Sequence, residues 1–206
     1  KSRTDRTTKQ YKRFLEYKTK HTDSEIIVYS NRNVMTINDN EKNFTRFAIG
    51  RKSPEPYGKI VANYILNVKK KSDTFCWGMF GSCTIFTKTS YIRNLNGFDV
   101  DFKRCAELDF AIRGAIKGYH FISVNEALIT QHLTLGEHKT MKKDLLFRKK
   151  LVKKHKKYLS QNFLYISSLI NTHAWYWYTK KVNLIGHFFR FFACCFLLIN
   201  KLKKLQ

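Results

Sequence analysis

Gly81-Ser82-Cys83-Thr84-Ile85-Phe86-Thr87-Lys88, then Asn96-Gly97-Phe98-Asp99, then Ala106-Glu107-Leu108-Asp109-Phe110-Ala111-Ile112-Arg113 follow one another in a stretch that ends at His132, and their order decides the fold. The first is a small-residue turn running into a short alternating strand. Asn96-Gly97 marks a tight turn, because glycine tolerates the positive φ such turns require. From Leu108 the apolar residues recur at Ala111, Ile112, Ala115 and Ile116, which is helical spacing with one buried face. Gly118 follows as a C-cap. Tyr119 to Leu128 reads as one strand or two and delivers His132 on a loop. This order predicts an α/β domain with a mixed sheet and the 106–117 helix packed against it.

The helix carries the chemistry. Successive helical residues are about 100° apart, so Glu107 and Asp109 point roughly 200° apart and only one can face a common substrate. Asp109 stands four residues before Arg113, the spacing of a supportive ion pair. Glu107, in the first turn, is left to face a cleft, and the helix dipole keeps a carboxylate there ionised. An ionised carboxylate suits a general base.

The run FGSCTIFTKTSYIRNLNGFDVDFKRCAELDFAIRGAIKGY resembles the acceptor half of inverting family 2 glycosyltransferases of the GT-A fold. Those enzymes carry a small Gly-Ser or Gly-Ala turn, a Gly-Phe-Asp, and an acidic motif close to E-D-x-D-L-x-x-R. The resemblance implies a substrate-facing turn at Gly81 and Ser82, and it aligns Glu107 with the catalytic base and Asp109 with the second Asp of the motif. Ala106 replaces the preceding Glu, which leaves the base open between Glu107 and Asp109. LITQHLTLGEH, from Leu128 to His138, is similar to the family's terminal motif, where a histidine can ligate the metal on a nucleotide diphosphate. His132 is the expected ligand of Mg²⁺ or Mn²⁺, with His138 as second choice, and the H-x-x-L-G pattern leans toward rhamnosyltransferase-like members. The resemblance covers residues 10 to 140 and is specific over 81 to 132. It implies transfer of a sugar from a nucleotide-sugar donor to a saccharide or lipid-linked hydroxyl acceptor with inversion, in surface polysaccharide or glycolipid synthesis. The family's donor half carries a D-x-D that is missing here, so it is expected to lie before Lys1, and this piece alone is expected to be inactive.

Composition sets outer bounds. The 206 residues are 43% hydrophobic and 15% aromatic, which excludes general disorder. A net charge of +24 calls for an anionic partner. Cys76, Cys83, Cys105, Cys194 and Cys195 form no C-x-x-C pair, so they read as small hydrophobes in a reducing cytosol.

Taken in order, the chain opens with a short amphipathic helix around Tyr11, Phe14, Leu15 and Tyr17. Ser24 to Ser30 is a buried strand. Asn31 to Ser53 is loop-like, with an edge strand at Phe44 to Ile49, and a helix follows Pro54 and Pro56. In DTFCWGMFGSCTIF, glycines among aromatics suggest a close backbone approach, and Trp77 reads either as a stacking platform for a sugar or as core. Asp99-Val100-Asp101 has the letters of a metal motif but reads as a solvated turn. Arg104 and Arg113 are candidates for phosphate contacts, against the plainer reading of ion pairs with Asp101 and Asp109.

A second region is expected from residue 139. Residues 139–157 hold ten Lys or Arg against one acid, Asp144, with Met141, Leu145, Val152 and Leu159 on one stripe. VNLIGHFFRFFACCFLLIN, broken by His187 and Arg190, is marginal for a membrane-spanning helix. Lysine-flanked aromatic faces fit a helix lying in the membrane interface better. Residues 1–138 are thus expected to form the transferase half-domain. Residues 139–206 are expected to be a helical appendage on an anionic membrane surface, which places the protein in the cytoplasm, peripheral to the inner face. The alternative is a non-catalytic basic module binding nucleic acid or an anionic surface. No RRM, KH, zinc-finger or helix-turn-helix pattern supports nucleic acid.

Overall fold

The β-branched run at Ile26 forms the middle strand of a small mixed sheet. The computed structural model describes residues 1–35, 43–68, 73–133, 140–161 and 164–202. They fall into two compact units: residues 1–62, 71–101 and 106–135 make the first, and 63–70, 102–105 and 136–206 make the second. The expected boundary at 138 lies outside the described residues.

In the first unit, helix α1 (Arg6–Lys18) leads to strand β1 (Ile26–Met35). Strand β2 (Phe44–Arg46) pairs antiparallel with β1, and β3 (His120–His132) pairs parallel with it, giving the order β2-β1-β3. The chain is therefore mixed α/β. Parallel pairing buries both faces of β1, which explains its near-continuous apolar run. On one face Phe14 and Tyr17 of α1 cover Ile26, Val28 and Ile122. On the other, Tyr29, Phe80 and Phe121 stack edge to face, with ring centroids 6.0 and 5.9 Å apart.

Between the strands lie α2 (Lys59–Ile65), a 3₁₀ turn (Ser82–Thr84), α3 (Thr89–Asn94) and α4 (Ala106–Ile116). The alternating strand expected after Gly81 is reduced to one bridge, in which Phe86 and Val28 exchange backbone hydrogen bonds of 2.8 and 2.9 Å. Tyr119 to Leu128 belongs to a single strand that continues to His132, which pairs with Met35 rather than standing on a loop. Ser30 pairs with Val124, but Asn31 pairs with Ala127 and Arg32 with Ile129, so Asn125, Glu126 and Leu128 of β3 are left over as bulges.

Helix α4 buries more than the expected stripe. Asp109, Phe110, Ala111, Ile112, Gly114 and Ala115 are all buried, whereas Leu108 and Ile116 are only half-buried. Asp109 joins the buried set because it is paired there. Gly118, at φ 93°, caps the helix as expected, and the Tyr119 amide reaches the Gly114 carbonyl at 3.0 Å.

The second unit contains α5 (Met141–Lys154), α6 (Lys156–Gln161), α7 (Tyr165–Thr179) and α8 (Asn183–Leu202). Two upstream segments join these helices. Ser168 Oγ donates to the Leu66 carbonyl at 2.8 Å, Asn171 Nδ2 to the Asn67 carbonyl at 2.9 Å, and Tyr158 to Asn63 Oδ1 at 2.9 Å. Part of the basic run on α5 is turned to its own aromatics: the Arg148 guanidinium lies 3.8 Å from the Trp175 ring centroid. No helix among the described residues is long and apolar enough to cross a membrane.

Candidate active site

Helix α4 begins after Cys105, whose φ of 65° lies in the left-handed region, so the chain turns sharply just before Glu107. The two carboxylates of the helix then part company. Asp109 is fully buried, and Arg113 Nε donates to its Oδ2 at 2.8 Å. The remaining guanidinium nitrogens hold the Leu95 carbonyl and, at 2.7 Å, the Gly97 carbonyl. Both Asn96 and Gly97 have positive φ, so Asp109 and Arg113 together lock the tight turn that precedes the helix. Glu107 is half-buried and has no hydrogen bond or ion pair among the described residues.

Glu107 has a neighbour that sequence reasoning missed. Tyr29 of β1 is wholly buried, and its hydroxyl finds no hydrogen-bond partner among the described residues. Burial, and after it the nearby Glu107 carboxylate, pushes the phenol far above its ordinary value of 10. Tyr29 also packs on Phe80, the residue before Gly81. The apolar run IIVYS shows a tyrosine in a core strand but not that its polar tip lies near an acid.

The turn itself is built by α1 and β1. Buried Gln10 donates to the Thr84 carbonyl at 2.8 Å, and Thr84 Oγ1 donates to the Gly81 carbonyl at 2.8 Å. Arg32, also missed from sequence, brings Nη1 within 3.5 Å of Cys83 Sγ, while its Nε is buried without a partner among the described residues. A Cβ at Gly81 would stand only 3.2 Å from that Nη1, so the small residue makes room for the guanidinium. Ser82 and Cys83 are exposed beside it. The unpaired Glu107 carboxylate can accept a proton, and the Arg32 guanidinium beside the exposed Ser82 and Cys83 can hold a polar or anionic ligand.

Other expected site residues lie elsewhere. Arg104 belongs to the second unit and pairs with Asp144 of α5, not with Asp101. Arg113 is taken up by Asp109 and the 95–97 turn. The Asp101 amide donates to Asp99 Oδ1 at 2.9 Å in an exposed turn, in line with the solvated reading. The close approach at Gly78 is to the chain itself, since a Cβ there would meet the Ala48 backbone at 2.4 Å. Trp77 is half-buried, with Phe75 edge-on to its ring at 5.7 Å.

Comparison with protein-family models, curated proteins and solved structures finds no match.

His132 is exposed at the end of β3, and His138 lies outside the described residues. Among the described residues no three His, Cys, Asp or Glu side chains come together to hold a metal ion. His132 alone does not make such a site. A separate cleft of about 380 Å³, lined by Arg13, Tyr17, His21 and Glu55 among others, opens beside the C-terminal end of α1. It includes none of the residues around Glu107.

Proposed function

We propose that this chain is the acceptor-side half of an inverting glycosyltransferase of the GT-A type, with Glu107 as the general base. The observation that carries this reading is the asymmetry of the two carboxylates: Asp109 is bound up by Arg113, while Glu107 has no hydrogen bond or ion pair among the described residues. An unpaired carboxylate at the start of a helix can take the proton from an acceptor hydroxyl as that oxygen attacks the anomeric carbon from the face opposite the leaving diphosphate. Tyr29, wholly buried, can act only on the carboxylate and not on the acceptor itself. Arg32 can hold an anionic or hydroxyl-rich part of the substrate at the Gly81-Ser82 turn. The substrates proposed are a nucleotide sugar and a saccharide or lipid-linked acceptor, and a divalent cation with His132 as one ligand belongs to the same proposal.

The test is transfer from a panel of nucleotide sugars to saccharide acceptors, measured in a chain that carries both donor and acceptor halves. Glu107→Gln, which removes the proton acceptor and little volume, lowers turnover roughly 10²-fold or more with donor binding nearly unchanged. Asp109→Asn leaves turnover of the folded protein largely intact. Full activity in Glu107→Gln would overturn the assignment.

A further inference from the structure

Helices α7 and α8 form an antiparallel hairpin, joined at Lys180 to Val182 with Lys181 at φ 60°. Its seam is polar and tight. Ser167 Oγ donates to the Ala193 carbonyl at 3.0 Å, Arg190 Nη1 to Asn171 Oδ1 at 3.0 Å, and Tyr178 shares a 3.1 Å hydrogen bond with His187 Nδ1. A Cβ on Gly186 would come within 2.7 Å of the Tyr178 ring, so glycine lets the helices approach. The two polar residues that interrupt the apolar run, His187 and Arg190, are thus both bonded to α7.

What remains is an uninterrupted outer face. Leu184, Ile185, Phe188, Phe191, Phe192 and Leu198 recur at helical spacing and are exposed, Leu184 at 84% and Phe191 at 66%. Lys180 and Lys181 are exposed at the start of the stripe, and Lys201, Lys203 and Lys204 follow it in sequence. From Leu145 to Gln206 there are thirteen Lys or Arg and no Asp or Glu.

We propose that this face of α8 lies in the interface of an anionic lipid membrane, aromatic stripe inward, with the flanking lysines at the phosphate level. The charge chooses the occupant. A second copy would bring an equally cationic, acid-free surface against this one, and like charges repel. A nucleic acid needs basic side chains interleaved with the aromatics, whereas here the stripe is apolar along its length and the lysines flank it in sequence. Anionic lipid supplies hydrocarbon for the stripe and phosphate for its ends. The inference is independent of the sugar chemistry and requires no activity to test.

The experiment is sedimentation of the 206-residue chain with phosphatidylcholine vesicles, with and without phosphatidylglycerol, at low and high salt. The chain partitions onto the anionic vesicles and weakly onto the neutral ones. The triple variant Phe188→Ser, Phe191→Ser, Phe192→Ser lowers the partition coefficient by roughly two orders of magnitude. Lys180→Ala with Lys181→Ala lowers it more than about tenfold on anionic vesicles only. Leu184→Asp, at a side chain almost free of contacts, gives the same direction without disturbing the hairpin, and near-ultraviolet circular dichroism checks that each variant is folded. Three results overturn the proposal: no binding to anionic vesicles at low salt, binding unchanged in the folded phenylalanine and Leu184 variants, or a dimer that those variants convert to monomer. Oligonucleotide binding lost with the same phenylalanines, in a chain that ignores vesicles, also overturns it.

Discussion

Arg113 and the wholly buried Asp109 form a 2.8 Å ion pair one helical turn apart, and the same guanidinium holds the carbonyls of Leu95 and Gly97. Removing one charge of a buried pair leaves the other uncompensated. Asp109→Asn is expected to cost about 3 kcal/mol and to lower the thermal midpoint by roughly 5–10 °C. Calorimetry checks this. An unchanged midpoint in a protein that has lost all turnover would make Asp109 the base instead.

Tyr29→Phe removes a buried hydroxyl that has no partner among the described residues. Burying such a group without a hydrogen bond costs about 1–3 kcal/mol, so the variant is expected to be more stable than the parent, with a raised melting temperature. If the hydroxyl serves the site, acceptor turnover falls at the same time, by roughly tenfold for one lost hydrogen bond of about 1.4 kcal/mol. Equal turnover in the stabilised variant excludes Tyr29 from the chemistry.

Gln10 ties α1 to the Gly81 turn through the Thr84 carbonyl. Gln10→Leu fills the space but leaves that carbonyl unsatisfied in the core, at an expected cost of about 1–3 kcal/mol. Hydrogen exchange at the Thr84 and Ile85 amides, which close the 3₁₀ turn onto Gly81 and Ser82, is expected to accelerate more than exchange in β3. Uniform acceleration across the first unit would show that the glutamine does not hold the turn locally.

Local patterns were readable and long-range ones were not. The Asp109–Arg113 spacing, the Asn96-Gly97 turn, the Gly118 cap and the apolar strand at Ile26 each depend on neighbours within one turn or one strand, and each is present. The Tyr29–Glu107 and Arg32–Cys83 juxtapositions depend on how β1 lies against segments some 50 to 80 positions away. Sequence proximity offers Arg104 either a phosphate or nearby Asp101, whereas its acid is forty positions on, at Asp144. The attachment of residues 63–68 to α7 rests on a hydroxyl, an amide and backbone carbonyls, which leave no hydropathy signal.

His120 connects α1 to β3, with Nδ1 2.9 Å from the Tyr17 hydroxyl and Nε2 3.1 Å from Ser24 Oγ. Burial, reinforced by His21 and opposed by Glu55 and Glu25, lowers its pKa below the ordinary 6.5. His173 is lowered too, by burial and then Lys149. The unfolded chain therefore binds these protons more readily than the fold. Stability is fully present above about pH 6.5 and declines as the pH falls through that value toward the folded pKa. Denaturant midpoints taken across this range are expected to drop toward acid, with a shallower drop in His120→Gln. An identical slope in the variant would assign the effect to other groups.

The three leftover residues of β3 divide its pairing with β1 into two independent halves. Ten residues of β1 run alongside thirteen of β3, and the slack is taken up at Asn125, Glu126 and Leu128. One half, His120 to Val124, fixes the strand beside Tyr29, while the other, Ile129 to His132, fixes where His132 emerges. Loss or gain of a residue at the slack would be absorbed there, leaving both the strand beside Tyr29 and the His132–Met35 pairing in frame. The bulge is thus a joint at which the two ends of the strand can diverge in sequence length without a common penalty.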